Sequence, residues 1–158
     1  MPTISDFKKE ILRIAKANID EDAWNYFPSR QAKRNNKVKF GMFEYKCNLF
    51  VYEILLASSI DIGTPNEISD KRWFISLQGK VDRPPTARQW YNDEVPYFKE
   101  IDKKDVEGGD ICSDGSHVGI VSKFGLTISA NGEKIIENDW GFRKNQDDFK
   151  FFALYKTP

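Results

Sequence analysis

The chain has two cysteines and one histidine, and the positions of one cysteine and the histidine allow a nucleophilic site. Cys47 opens an apolar run, residues 47–60, and His117 opens the short segment HVGIV, residues 117–121. A cysteine beside a histidine can attack an amide carbonyl, because the imidazole takes the thiol proton and later gives a proton to the leaving amine. A buried cysteine and a hydrogen-bonded histidine also occur in many proteins without activity. These two residues alone therefore leave both interpretations open.

Two predicted helices position the cysteine. Apolar residues recur at helical spacing near the N-terminus, which predicts an amphipathic helix packed on the core, at Ile4, Phe7, Ile11, Ile14 and Ala15. The run 47–60 is apolar on nearly every side, and its length and composition favour a buried helix that ends before Gly63. A thiol in the first turn of that helix would lie at the positive end of the helix dipole, which lowers its pKa.

The second half of the chain predicts an antiparallel sheet. Residues 20–46 are mostly polar, which predicts a segment that runs across the surface. Residues 61–108 contain four prolines and predict loops with one short helix. Short strand patterns follow from Gly108 onward, in the segments GGDIC, HVGIV, LTISA, EKIIE and FKFFALY. Helices that precede a run of strands predict the α+β class.

The segments HVGIV and LTISA predict a hairpin that fixes the neighbours of His117. A turn at residues 122–125 would place His117 opposite residues 129–131. Because side chains alternate along a strand, His117 and Gly119 would share a polar face with Ser129 and Asn131. Either of these two polar side chains could then form a hydrogen bond with the imidazole.

The order of KCNLFV on a helix, then GGDI, then HVGIV in a hairpin resembles the NlpC/P60 and CHAP families of papain-like cell-wall peptidases and amidases. The resemblance covers roughly residues 40–140. It implies one papain-like domain over residues 1–158, with N-terminal helices and a nucleophile on a buried helix that packs on an antiparallel sheet. Carried over by position, Cys47 is the nucleophile and His117 the general base.

Two positions depart from the family pattern. The third polar residue of these families, usually His, Asn, Asp or Glu, falls near Ser129, so the candidates are Ser129, Asn131 and Asp139 in ENDWGFR. Lys46 stands where many NlpC/P60 members have Asp. Because side chains alternate between the two faces of the hairpin, Asn131 and Ser129 are favoured over Asp139 as the third polar residue.

The resemblance implies hydrolysis of an amide bond in the peptidoglycan stem peptide or cross-bridge, through a Cys47 thioester and without a metal or organic cofactor. A zinc site built from Cys47, Cys112, Asp114 and His117 lacks the paired short cysteine spacings of such sites. Alternative functions are a deamidase or protease acting on proteins, and a non-catalytic binding domain of the same fold.

Candidate substrate-binding residues are Asn48, Arg83, Trp90 and Trp140. Tryptophans at these positions can equally fill the core, and an arginine can be an ordinary surface charge.

Composition points away from nucleic acid and membrane partners. The 24 basic and 24 acidic residues cancel, and the basic segment 30–39 lacks the interleaved aromatic residues of a single-strand binder. No segment reads as a signal peptide or membrane span, so we expect synthesis in the cytoplasm with reduced thiols. The small size resembles amidase effectors of type VI secretion, which act in the periplasm or cell wall after specialised secretion and are blocked by a cognate immunity protein. A phage lysin released by lysis fits almost as well.

Overall fold

The computed structural model describes residues 1–69, 80–139 and 148–158. Within these residues it contains three α-helices, one 3-10 turn at Lys103–Asp105 and ten strands. The helices are α1 (Ile4–Ala17), α2 (Cys47–Ala57) and α3 (Ala87–Tyr91). The strands are β1 (Arg30–Gln31), β2 (Lys39–Phe40), β3 (Asn66–Ser69), β4 (Lys80–Arg83), β5 (Phe98–Ile101), β6 (Ile111–Ser113), β7 (Val118–Lys123), β8 (Leu126–Ala130), β9 (Ile135–Asp139) and β10 (Lys150–Leu154).

Six strands form the main sheet in the order β5, β10, β6, β7, β8, β9, and every neighbouring pair is antiparallel. Strands β1 and β2 form a small antiparallel ladder, and β3 and β4 form another. The predicted α+β class and the hairpin of β7 and β8 are confirmed. Ile120 lies opposite Ile128 and Val121 opposite Thr127, within the predicted register, and a bulge between Val121 and Lys123 precedes the turn.

The two faces of the sheet are packed differently. Val118, Ile120, Ile128 and Ala130 belong to the large core that also contains the apolar residues of α1 and α2. The opposite face carries a smaller apolar cluster, formed by Val106, Cys112, Val121, Phe149 and Phe151. Since α2 buries residues on nearly all sides, as its sequence predicted, burial rather than intrinsic propensity stabilises it.

The segment GGDI docks α1 onto the sheet. A Cβ atom placed on Gly109, whose φ is +91°, would lie 2.5 Å from the carbonyl oxygen of Lys8. The fully buried Asp110 carboxylate forms an ion pair with the Lys8 ammonium at 2.8 Å and accepts a hydrogen bond from the Glu107 backbone N–H at 2.8 Å. This close approach of α1 requires glycine, and the buried ion pair fixes the orientation of α1.

Residues 61–108 contain more regular structure than the sequence predicted. The expected short helix is α3, but β3, β4 and β5 also form, and β5 joins the edge of the main sheet through β10. Residues 20–46 likewise contain the β1–β2 ladder and bury Trp24, Val38 and Phe40. Of these strands, β5 pairs with a distant part of the chain, which local patterns do not reveal.

Candidate active site

Cys47 is the first residue of α2, and the start of this helix has no side-chain cap. Helices α1 and α3 both begin with a complete capping box, at Thr3 and Thr86, whereas Lys46 at the N-cap of α2 forms no capping hydrogen bond. The first intrahelical bond of α2 runs from the Phe50 N–H to the Lys46 carbonyl at 2.9 Å. The preceding N–H groups of the first turn therefore have no intrahelical acceptor, and the first turn contains no acidic residue.

Two sets of contacts place the start of α2 at the end of the sheet where His117 lies. On one side, the Asn48 amide donates to the Pro85 carbonyl at 3.2 Å, and the Ser113 hydroxyl donates to the Ala87 carbonyl at 2.7 Å. Ser113 pairs with Val118, the residue after His117. The loop that leads into α3 thus connects the first turn of α2 to the turn before β7.

On the other side, the residues before Cys47 contact the loop after β8. The Tyr26 N–H donates to the Gly132 carbonyl at 2.9 Å, and the Tyr26 and Tyr45 rings lie 4.5 Å apart between centroids. A Cβ on Gly132 would lie 3.3 Å from the Tyr45 ring. Continued by three residues, the β7–β8 register places His117 opposite Asn131, directly before Gly132.

His117 closes a tight turn between β6 and β7. Its N–H donates to the Asp114 carboxylate at 2.8 Å, and its carbonyl accepts the Asp114 N–H at 3.2 Å. His117 lies in this turn, one residue before β7 begins at Val118, and it is 6% exposed.

The three candidates for the third polar residue lie in different surroundings. Ser129 is fully buried beside Gly119, and its hydroxyl has no hydrogen-bond partner among the described residues. The Asn131 amide oxygen accepts the backbone N–H groups of Glu133 and Lys134, so it is occupied in the turn after β8. Asp139 pairs with Leu126 at the far end of β9, about 17 Å along the strands from the position opposite His117, which excludes contact with His117.

The predicted substrate-binding residues differ in burial and in their contacts. Trp90 is 1% exposed and packs edge-on against Phe98, so its prediction as a rim residue is wrong and it belongs to the core. The Arg83 guanidinium forms hydrogen bonds to both carboxylate oxygens of Glu44, at 3.0 and 2.8 Å, and this ion pair competes with any substrate carboxylate. Asn48 lies directly after Cys47, and its side-chain amide donates to the Pro85 carbonyl. Trp140 lies outside the described residues.

The two thiols differ in their surroundings. Burial raises the pKa of the Cys112 thiol well above its usual value, with Asp114 adding to the effect, so Cys112 stays protonated and inert. Cys47 is 9% exposed, and it lies at the positive end of an uncapped helix. Of the two cysteines, Cys47 is therefore the candidate for chemistry.

Two features of the site were missed by the sequence reasoning. Tyr26, Phe27, Phe43 and Tyr45 form an aromatic rim before α2, in which Tyr45 is 69% exposed and Phe43 has a strained φ of 59°. Lys46 is buried, with 1% of its surface exposed, and its ammonium donates to three carbonyl oxygens. The exposed aromatic spacing of FGMFEY was a signal for the rim, but nothing local marks Lys46 as buried.

No family model, curated protein or solved structure matches this chain. Among the residues described, no helix has the length and apolar character needed to cross a membrane. Within the same ranges, no three His, Cys, Asp or Glu side chains are grouped so that they could bind a metal ion.

Proposed function

We propose that this protein is a papain-like cysteine hydrolase that cleaves an amide bond in the stem peptide or cross-bridge of peptidoglycan. The observation that carries the proposal is the position of Cys47, at the first residue of a buried helix whose start is uncapped, at the sheet end where His117 lies. In most helices, a capping side chain satisfies some of the first N–H groups. N–H groups without a capping side chain, as at the start of α2, are suited to binding an oxyanion.

The proposed reaction is acyl transfer in two steps. The Cys47 thiolate attacks the carbonyl carbon of the amide, and N–H groups of the first turn of α2 bind the resulting oxyanion. The C–N bond then breaks as the His117 imidazolium gives its proton to the leaving amine, which leaves a thioester on Cys47. His117 next takes a proton from water, the hydroxide attacks the thioester, and the acid product leaves as the thiolate is restored.

Two surfaces beside Cys47 suit a peptide attached to a glycan. The aromatic rim of Tyr26, Phe27, Phe43 and Tyr45 lies directly before α2 and offers flat apolar faces. A pocket of about 290 Å³ lies on the other side, lined by Ile62, Pro65, Pro85 and Gln89 among others, and Pro85 is the residue that Asn48 contacts. A substrate crossing the start of α2 would meet both surfaces. Delivery to the wall by specialised secretion or lysis, and a cognate immunity protein over this surface, belong to the same proposal.

Digestion of purified sacculi tests the proposal, with the soluble fragments read by mass spectrometry. The wild type and Cys47→Ala, His117→Ala and Cys112→Ala variants are compared after circular dichroism has shown that each is folded. We expect fragments from the wild type and from Cys112→Ala, and a loss of at least about a thousandfold in Cys47→Ala and about a hundredfold in His117→Ala. Sacculi left intact by the wild type, or cleaved equally by Cys47→Ala, would contradict the proposal. The amine terminus of the fragments identifies the bond.

A further inference from the structure

Lys46 is a buried cation whose three donors are all used within the fold. Its ammonium donates to the Glu44 carbonyl at 2.8 Å, to the Asn25 carbonyl at 2.9 Å and to the Tyr26 carbonyl at 3.3 Å. The nearest carboxylate on its own segment, Glu44, is paired with Arg83. Carbonyl dipoles satisfy the donors of Lys46 but leave its net charge in place.

This charge lies directly before the nucleophile. Adjacent Cα atoms are about 3.8 Å apart, so even fully extended side chains keep the Lys46 ammonium within about 13 Å of the Cys47 sulfur. Because the ammonium is buried, salt and water screen it less than they screen a surface lysine. An unpaired positive charge at this separation stabilises a thiolate by about one pKa unit at a dielectric constant of about 20.

We propose that Lys46 is a positioning residue that provides a fixed positive charge for the Cys47 thiolate. Its charge adds to that of the uncapped start of α2, where the first turn has no acidic residue to oppose it. The same hydrogen bonds attach residues 25–26 to the turn that leads into α2, which fixes the ammonium relative to the helix start. The inference rests on the proposed role of Cys47 as nucleophile, but it can be tested without any substrate.

Burying the charge of Lys46 costs free energy. Burial lowers the pKa of the Lys46 ammonium to about 8, an effect that Glu44 opposes and that Arg83 and Arg30 reinforce. The folded protein thus holds this proton less tightly than the unfolded chain does. A methionine of similar shape would avoid the cost of burying a charge but would leave three carbonyl oxygens without the donors of Lys46.

Reciprocal coupling provides the direct test. If Lys46 stabilises the Cys47 thiolate, the thiolate must raise the pKa of Lys46 by the same amount. The Lys46 side chain is followed by NMR in protein carrying ¹³C at the lysine Cε, with its signal assigned by its loss in Lys46→Met. We expect the Lys46 midpoint to lie about one pH unit lower in Cys47→Ala than in the wild type. Equal midpoints in the two folded proteins would overturn the proposal.

A second measurement uses Lys46 variants. The pH dependence of Cys47 alkylation is measured by peptide mass spectrometry in the wild type, Lys46→Met and Lys46→Arg. We expect the midpoint to rise by about one pH unit in Lys46→Met and to stay within a few tenths of a unit in Lys46→Arg, which keeps the charge. If Lys46 had only a structural role, Lys46→Met and Lys46→Arg would both lower the stability of the protein, and neither would shift the pH midpoint of Cys47 alkylation. If Lys46→Met does not fold, the titration of Cys47→Ala decides the question.

Discussion

Cys47 and Cys112 have the same side chain, but the fold gives them different surroundings. Cys112 lies in β6 on the smaller apolar face of the sheet, where burial raises the pKa of its thiol. Cys47 lies in the first turn of α2, which has no side-chain cap, and one residue after a buried ammonium. The choice between packing and nucleophile, which the sequence left open, thus depends on where each cysteine lies in its element.

Single residues were the least predictable level of the site. Trp90 stands among prolines and polar residues, and its contacts with Phe98 of β5 and Phe152 of β10 make it a core residue. Arg83 was predicted to bind substrate carboxylates, but Glu44, almost forty residues earlier in the chain, occupies its guanidinium. Lys46 is buried by carbonyl groups that lie some twenty residues before it. Long-range partners of this kind are absent from the local sequence pattern.

Ser129 and Ser113 provide a matched pair for a stability test. Both side chains are fully buried, but only the Ser113 hydroxyl has partners among the described residues: it donates to the Ala87 carbonyl and accepts from the Gly115 N–H. We expect Ser113→Ala to lower the free energy of unfolding by about 1–2 kcal/mol, because it leaves a buried carbonyl unsatisfied. Ser129→Ala should leave that free energy unchanged or raise it by up to about 1 kcal/mol, because it removes an unpaired hydroxyl.

Urea denaturation of the two variants and the wild type measures both effects. A larger loss in Ser129→Ala than in Ser113→Ala would show that the Ser129 hydroxyl has a strong partner in the folded protein. In that case, Ser129 would become the leading candidate for the group that orients His117.

At the level of elements, the segment GGDI has a structural role, which is to dock α1 on the main sheet. It was one of the three motifs behind the resemblance to wall hydrolases, and in this fold it holds α1 close to the sheet. Gly109 allows the backbone of α1 to approach, and Asp110 binds Lys8 of α1. The motif therefore supports the architecture that carries the site and takes no direct part in the proposed chemistry.

Substitution of Gly109 should separate this close approach from simple backbone strain. Gly109 and Gly125 have nearly equal positive φ angles, +91° and +90°, but only at Gly109 would a Cβ meet other atoms within 4 Å. We expect Gly109→Ala to lower the free energy of unfolding by about 2–4 kcal/mol and Gly125→Ala by about 1 kcal/mol. Thermal and urea unfolding measure the difference. Equal losses would show that α1 moves aside without cost.

Elements with strong local patterns were predictable, and elements made by distant pairing were not. The periodicity of α1, the apolar run of α2 and the β7–β8 hairpin all appear where the sequence placed them. Strand β5 was missed because its four residues become an edge strand only by pairing with β10 near the end of the chain. The prolines around β4 and β5 also favoured an interpretation as loops.

At the level of the whole molecule, the proposed site depends on how a helix and a sheet end meet. Helix α2 packs on one face of the main sheet, and His117 lies in the turn directly before β7. The start of α2, the turn before β7 and the loop after β8 converge at one end of the sheet. The proposed site therefore requires the His117 imidazole to approach Cys47 at that end of the sheet.

The pH dependence of Cys47 alkylation in the wild type and in His117→Ala tests that point directly. Peptide mass spectrometry follows Cys47 and Cys112 in the same sample, so that the buried Cys112 reports any unfolding. We expect Cys47 in the wild type to react well below the ordinary thiol pKa of about 8.5, as an ion pair with the imidazolium. The His117→Ala substitution should raise the pH midpoint of Cys47 alkylation by at least about one pH unit. An ordinary midpoint that is identical in the two folded proteins would contradict the Cys47–His117 site.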